Sequence, residues 1–127
     1  LRAASGLIIS YIPQDTSFLR GRLRDFAQAE GLDESLFLTI LRKLDFSRQQ
    51  FEKEMERYSE GQKKKVLLAK SLCQPAHLYV WDEPLNYIDI YSRLQIEQLI
   101  AEFAPTMLLV EHDEAFRQAV CTGCLNL

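Results

Sequence analysis

The chain has 127 residues, of which 47% are hydrophobic, and its formal net charge is -3 at pH 7. This apolar content is enough for the core of one domain or part of one, and it excludes a disordered chain. The weak acidic balance excludes an overall basic surface for nucleic acid, although a local basic patch remains compatible with it. No apolar run reaches the ~20 residues of a membrane span and no signal peptide is visible, so we expect a soluble, cytoplasmic protein.

The predicted elements begin with a strand. Leu7–Ile12 is an apolar run that Pro13 ends. A helix-rich stretch follows over about residues 19–57, in which Asp33 and Ser47 are the expected helix caps. The apolar face of its central helix consists of Leu36, Phe37, Ile40, Leu41 and Leu44. This stretch interrupts the alternation of strands and helices, so we interpret it as an inserted subdomain.

The second half of the chain alternates regularly. Ser59 predicts the start of a helix, and Leu78–Trp81 and Met107–Val110 are apolar runs typical of strands covered on both faces. Between them, Tyr91–Phe103 is an amphipathic helix with apolar positions at Leu94, Ile96, Leu99, Ile100 and Phe103. A short helix and a last strand near Cys121–Leu127 close the chain. The alternation predicts an α/β fold with a mainly parallel sheet.

Two of the three cysteines, Cys121 and Cys124, have Cys-x-x-Cys spacing. A structural zinc site needs about four ligands, and only Cys73 and His77 are further candidates in this sequence. An odd count without a secretory signal indicates reduced thiols in the cytosol. We therefore interpret the cysteines as ordinary thiols rather than as a zinc or redox site.

Adjacent acids, Asp82 and Glu83, end the strand over Leu78–Trp81. In parallel α/β sheets, ligands bind beyond the carboxyl ends of the strands. Asp82 could hold Mg²⁺, which takes few protein carboxylates, and Glu83 could polarise an attacking water as general base. The alternative is a pair of acids that merely leave the sheet for solvent. The continuation with Asn86 and Asp89 favours the functional interpretation.

Gln14 and His112 follow two other predicted strands. The imidazole of His112 could hydrogen-bond a γ-phosphate, and the amide oxygen of Gln14 could ligate magnesium and touch the attacking water. A lone His beside acids is more often a solvent-facing residue, and a lone Gln in a loop is by itself a surface residue. Their positions after strands that neighbour the acid pair favour a role in the same site.

The segment Ser59-Glu60-Gly61-Gln62 opens the helix that follows the insert. Ser59 is a natural N-cap, Gly61 permits close approach of a phosphate, and helix N-termini bind anions. The helix dipole disfavours the following run Lys63–Lys65, and an anion arriving there would offset that cost. The alternative is a capped amphipathic helix whose lysines are solvated.

A phosphate-binding P-loop requires Gly followed by Lys and then Ser or Thr. None of the five glycines is followed by Lys, and the chain begins at Leu1 rather than Met. We therefore expect a fragment that holds a metal ligand, a general base and an anion-binding helix start. The loop that anchors ATP would belong to a missing N-terminal half.

In their order, these segments resemble the second half of an ABC-type ATPase domain. Ile12-Pro13-Gln14 resembles the Q-loop, Ser59–Gln62 the signature, Leu78–Glu83 the Walker B strand, Asn86–Asp89 the D-loop and His112 the switch histidine. The resemblance implies a P-loop NTPase core. It also implies one domain over 1–127, with a helical subdomain at about 19–57 and core segments at 1–18 and 58–127.

The resemblance further implies a composite site in which a second ABC ATPase domain packs head to tail around ATP and Mg²⁺. Gln14, Asp82, Glu83 and His112 would serve ATP held by the missing half. Ser59, Gly61 and Gln62 would serve the partner's ATP, and Asp89 would contact the cofactor from the D-loop position. Two residues depart from the family pattern: Glu60 stands where Gly is common, and Leu85 where a small polar residue is frequent.

The run from Asp82 to Asp89 is most similar to the C-terminal ATPase domain of ABC-F antibiotic-resistance proteins. This likeness implies a soluble ATPase that acts on the ribosome and displaces lincosamide, pleuromutilin or streptogramin A drugs. Two alternatives stay open: the ATP-binding subunit of a membrane transporter, and a non-catalytic interaction module.

Overall fold

A computed structural model describes residues 9–13, 15–74, 76, 78–82, 84–85, 88–103 and 107–110, the last of these by backbone alone. In chain order the elements are β1 (Ile9–Ile12), α1 (Leu23–Ala29), α2 (Glu34–Lys43), α3 (Arg48–Glu52), a 3-10 turn (Met55–Arg57), α4 (Glu60–Cys73), β2 (Leu78–Asp82), α5 (Ile90–Phe103) and β3 (Met107–Val110). The predicted helix and strand near the C-terminus lie outside the described residues, as does the beginning of the predicted first strand.

The three described strands form one parallel sheet in the order β1-β2-β3. Ile12 lies opposite Trp81, and Asp82 lies opposite Val110. The last residues of all three strands therefore meet at one edge of the sheet. The parallel pairing with helical connections confirms the predicted α/β fold.

Helices α1, α2 and α3 lie between β1 and α4, and we call them the helical insert; their status as a separate subdomain stays a prediction. Two of their caps were predicted. The Asp33 carboxylate accepts a hydrogen bond from the Leu36 backbone, and Ser47 forms a reciprocal capping box with Gln50. The prediction that Leu36 belongs to the buried apolar face was wrong, because this residue is 36% exposed. Phe37 follows about 100° further round the helix and starts the buried stripe.

Helix α4 joins the insert to the sheet, because it contacts both α2 and β1. Its buried side merges with one core cluster that spans the insert and the sheet. In α5, Ile96 and Leu99 are buried, whereas Leu94 is 53% exposed, contrary to its predicted place on the apolar face. Ile96 comes two positions after Leu94, which turns its side chain about 200° round the helix axis from that of Leu94. None of the described helices has the length and apolar character that crossing a bilayer requires.

Candidate functional site

The carboxyl edge of the sheet gathers the ends of three strands that the sequence singled out. Ile12, Asp82 and Val110 each end one strand, and parallel pairing sets them side by side. Asp82 is partly buried at the end of the central strand. The other predicted members of this site, Gln14, Glu83 and His112, lie outside the described residues, so their places in the site stay predictions.

The Asp82 carboxylate, at the described part of this edge, is in keeping with a magnesium site. Among the described residues, no group of three or more His, Cys, Asp or Glu side chains could hold a metal on its own. Magnesium prefers oxygen ligands, retains several waters and is commonly held by one or two carboxylates together with substrate phosphates. The Asp82 carboxylate therefore fits the ion.

Helix α4 begins with the reciprocal cap that its sequence predicts. The Ser59 hydroxyl accepts a hydrogen bond from the Gln62 backbone at 3.2 Å, and the Gln62 side-chain oxygen accepts one from the Ser59 backbone at 2.9 Å. The two side chains thereby fix the start of the helix. The first N–H groups of a helix have no acceptor within it, so Glu60 and Gly61 offer backbone donors to an anion.

Glu60 is turned toward the loop that follows β1. The hydroxyl of Thr16, a buried residue, donates to the Glu60 carboxylate at 2.6 Å, and Lys63 lies 3.9 Å from the same carboxylate. Glu60, which stands where the family commonly has glycine, therefore has partners that compensate its charge at the helix start. The carboxylate ties the signature segment to the segment expected to form the Q-loop.

A second polar contact joins the same two segments. The Lys64 side chain is only 1% exposed, and its ammonium donates to the Pro13 carbonyl at 3.3 Å. The alternative of a wholly solvated lysine run is thus wrong for Lys64. Lys64 precedes Leu67, Leu68 and Ser71 by three, four and seven residues, so it lies on the buried face of α4.

Sequence reasoning missed Thr16 and Lys64 as parts of this site. The helical spacing of Lys64 relative to Leu67 and Leu68 was a usable signal of its burial. A single threonine in a loop gives no comparable signal. Both contacts depend on the tertiary packing of α4 against β1.

Asp89 and Leu85 have structural roles in the segment between β2 and α5. The Asp89 carboxylate accepts hydrogen bonds from the Ser92 hydroxyl at 2.7 Å and the Ser92 backbone at 3.3 Å. The Ser92 hydroxyl is the main cause that lowers the pKa of Asp89, and Lys65 lowers it further. Leu85 is buried in the core, which accounts for an apolar residue at this position. The predicted cofactor contact of Asp89 stays a prediction.

Cys73, on α4, is the described member of the three cysteines. Burial, with the Asp33 carboxylate as a smaller cause, raises the pKa of its thiol to about 12. Such a thiol carries almost no thiolate at neutral pH, so it is a poor nucleophile and metal ligand. Cys73 therefore behaves as the ordinary thiol we expected, whereas Cys121, Cys124 and His77 lie outside the described residues.

Replacing Thr16 by Val should lower the free energy of unfolding by about 1 kcal/mol. The change removes the hydrogen bond to Glu60, whose half-exposed carboxylate regains water. Thr39→Val is the matched control, because the Thr39 hydroxyl donates to a backbone carbonyl on an exposed helix face. Urea denaturation of both variants measures the difference. Equal, negligible effects would contradict a stabilising contact between Thr16 and Glu60.

Tyr58 leads into the signature segment and gives a test at alkaline pH. Its hydroxyl donates to the Gln50 carbonyl, its ring packs edge-on against Phe46, and burial raises its pKa to about 12. An unfolded tyrosine ionises near pH 10. The raised pKa therefore contributes stability that is complete below about pH 10 and is lost as the pH rises toward 12.

Tyr58→Phe should accordingly flatten the loss of stability between about pH 10 and 12, and should cost about 1 kcal/mol at pH 7 through the lost hydrogen bond. Chemical denaturation at several pH values measures both effects. Cys73 titrates in the same range but is present in both proteins, so its contribution cancels. If the parent protein and Tyr58→Phe lost stability in parallel between about pH 10 and 12, the raised pKa of Tyr58 would not be the cause of the loss.

A parallel sheet with an acid at its carboxyl edge and a capped helix start is compatible with the nucleotide-binding core of an α/β protein. The sequence model of the family described as "ABC transporter" matches residues 2–86. The chain therefore belongs to the ABC transporter family of ATPases, as the sequence motifs predicted.

Curated relatives include members of the ABC-F branch. The chain is 33% identical over 97 residues to a protein named "Putative ATP-binding protein YdiF" from Bacillus subtilis. It is 30% identical over 115 residues to ABC transporter F family member 4 of Arabidopsis thaliana. These alignments cover 76% and 89% of this chain but 15% and 16% of the relatives. The chain thus spans less than a fifth of their length.

Solved structures show the same fold. A chain of ribosome-bound archaeal Pelota and ABCE1 matches 91% of this chain with a TM-score of 0.77 and 25% identity, over 20% of its own length. A putative cobalt transport ATP-binding protein matches 87% with a TM-score of 0.74 and 23% identity, over 44% of its own length. These neighbours confirm the fold of an ABC ATPase.

Proposed function

We propose that this chain is the C-terminal part of one ATPase domain of a soluble ABC-F protein that hydrolyses ATP on the ribosome and confers antibiotic resistance. The observation that carries the ATPase proposal is the common edge at which β1, β2 and β3 end. ABC-F members among the relatives, and a ribosome-bound structure among the neighbours, support the cellular role. Residues 19–57 form the helical subdomain in this proposal, and 1–18 and 58–127 belong to the core.

At the shared edge, Asp82 would hold Mg²⁺, and Gln14 would add an amide oxygen. The ion, when bound, neutralises negative charge on the phosphates. Glu83 takes the proton of the attacking water, and His112 hydrogen-bonds the terminal phosphate. These roles require ATP to be anchored by a P-loop, which this chain does not contain.

The start of α4 serves ATP on a second ABC domain in this proposal. Ser59, Gly61 and Gln62 present the helix start to phosphate, and the cap fixes its direction. Asp89 contributes from the D-loop position. Thr16 and Lys64 hold the start of α4 against the segment after β1. The helix start that serves the partner's ATP is therefore in direct contact with the segment that leads to Gln14 in the other half of the composite site.

Ribosome action is tested by co-sedimentation of the full-length protein with ribosomes, with a non-hydrolysable ATP analogue and with ADP. We expect retention with the analogue and release of bound lincomycin from the ribosomes. Asp82→Asn, which weakens the metal ligand, should abolish retention. Association with membranes instead of ribosomes would favour the transporter alternative. A protein that associates with neither ribosomes nor membranes would overturn the proposed ribosomal role. The proposed ATPase activity would then be judged separately, by ATP turnover.

Nucleotide titration of the 127-residue chain tests the interpretation of an incomplete site. We expect no saturable ATP binding at micromolar concentrations, because the phosphate cradle belongs to other polypeptide. Micromolar binding would contradict that interpretation. Absence of ATP turnover in the full-length protein would favour the non-catalytic interaction module.

A further inference from the structure

A cavity of about 760 Å³ lies in the helical insert. We name it the arginine cavity: it is lined by Arg22, Arg24, Arg42 and Arg48, together with Leu38 and Phe51. Its volume is within the range of sites that bind small ligands or peptide side chains. No residue of the proposed ATPase site lines it.

The charge of the arginine cavity is opposite to that of the whole chain. Four guanidinium groups face two carboxylates, those of Asp25 and Glu52, whereas the chain carries a net charge of -3. Among the described residues, Arg24 pairs with Glu34 in an exposed contact at 3.3 Å, and Arg22 and Arg48 form no ion pair. The guanidinium N–H groups of Arg22 and Arg48 are therefore available to an anionic partner.

One arginine is already held in place for binding. The Arg42 guanidinium lies over the Phe51 ring, 5.5 Å from its centre. Stacking of this kind fixes the plane of the guanidinium while its N–H groups stay available at the edge. A carboxylate can then form two parallel hydrogen bonds with little further loss of side-chain freedom.

We propose that the arginine cavity binds an acidic peptide segment of a partner protein, with an apolar side chain between its carboxylates. The partly buried Leu38 and Phe51 add an apolar part to the cavity lining, which suits a leucine or phenylalanine anchor. The acidic groups of the segment pair with Arg22 and Arg48. This inference is independent of the proposed ATPase activity.

One feature favours a peptide over RNA. Asp25 and Glu52 line the same cavity, and they repel an evenly charged phosphate backbone more than a peptide that can place uncharged groups beside them.

The test uses the 127-residue chain and a fluorescein-labelled peptide of about twelve residues that alternates pairs of Glu with Leu or Phe. We expect micromolar binding that weakens as salt is raised. The double variant R22E/R48E should bind about tenfold or more weakly. Arg57→Glu is the matched control, because Arg57 is exposed and lies outside the cavity. It should change the affinity less than about twofold.

Two further probes test the apolar anchor and the preference for peptide over RNA separately. A peptide with Ser in place of its Leu and Phe should bind at least about tenfold more weakly, since it loses the apolar anchor. A single-stranded RNA of about twelve nucleotides should bind more weakly than the acidic peptide. Thermal unfolding confirms that R22E/R48E is folded, and Arg48→Ala provides a milder substitution with the same expected direction.

Several outcomes would overturn the proposal. They are the absence of saturable peptide binding, equal affinity of R22E/R48E and the parent chain, and equal affinity of the Ser peptide. Tighter binding of RNA that is lost in R22E/R48E would reassign the cavity to nucleic acid.

Discussion

Glu83→Gln in the full-length protein should abolish ATP turnover while ATP stays bound. A glutamine has nearly the same shape but cannot accept a proton from the attacking water. Loss of a general base typically costs about 10²–10⁴-fold in rate. Steady-state phosphate release measures the rate, and retention of labelled ATP after gel filtration measures the trapped nucleotide. This result would establish Glu83 as the base, which the strand end at Asp82 favours.

Glu54→Gln is the matched control, because Glu54 is an exposed acid in the helical insert. Its turnover should equal that of the parent protein. Hydrolysis that is unchanged in Glu83→Gln would remove Glu83 from the proposed mechanism. Loss of both turnover and ATP binding would instead indicate that the substitution disturbs the strand end.

Trp81→Ala should lower the free energy of unfolding by about 3–5 kcal/mol. The Trp81 side chain is fully buried, and its indole N–H donates to the Ser71 hydroxyl at 2.9 Å. That hydroxyl lies 2.7 Å from the Ser10 hydroxyl, so one polar chain joins β2, α4 and β1. Truncation leaves a large cavity and a buried hydroxyl that loses one of its partners. The expected loss is a large part of the ~5–15 kcal/mol that stabilises a typical domain.

Guanidinium denaturation followed by circular dichroism measures this loss, since the tryptophan fluorescence is removed. Tyr91→Ala provides the control, because Tyr91 is 77% exposed and its removal should change stability by less than about 0.5 kcal/mol. Trp81→Phe should fall between the two, because it keeps most of the apolar volume and loses the hydrogen bond. A loss below about 1 kcal/mol for Trp81→Ala would contradict a central role of this residue in the core.

The fold was predictable where local chemistry decides the structure. Asp33, Ser47 and Ser59 are caps because their side-chain oxygens accept hydrogen bonds from the backbone N–H groups three residues further along. Leu78–Trp81 and Met107–Val110 lie in strands, as their short apolar runs predicted. These features require no knowledge of distant parts of the chain.

The sequence predicted which strand ends form the candidate site, but it did not predict the polar contacts beside them. Asp82 is at the sheet edge that its sequence indicated. The bond from Thr16 to Glu60 and the burial of Lys64 arise only when α4 packs beside β1. Leu94 was misplaced because the prediction grouped the apolar residues of α5 without regard to their angular positions, and Leu94 lies about 200° from Ile96 round the helix axis. The roles of Gln14, Glu83 and His112 stay predictions.

The neighbouring strands β1 and β2 are separated in the sequence by the whole helical insert and α4. Closing such a long intervening segment costs chain entropy before any strand pairing is gained, whereas α1, α2 and α3 consist of short-range contacts. The insert should therefore form early, and the sheet should assemble late, once compact helices have shortened the distance between its strands. Pulsed hydrogen exchange during refolding should protect the amides of α2 before those of β1.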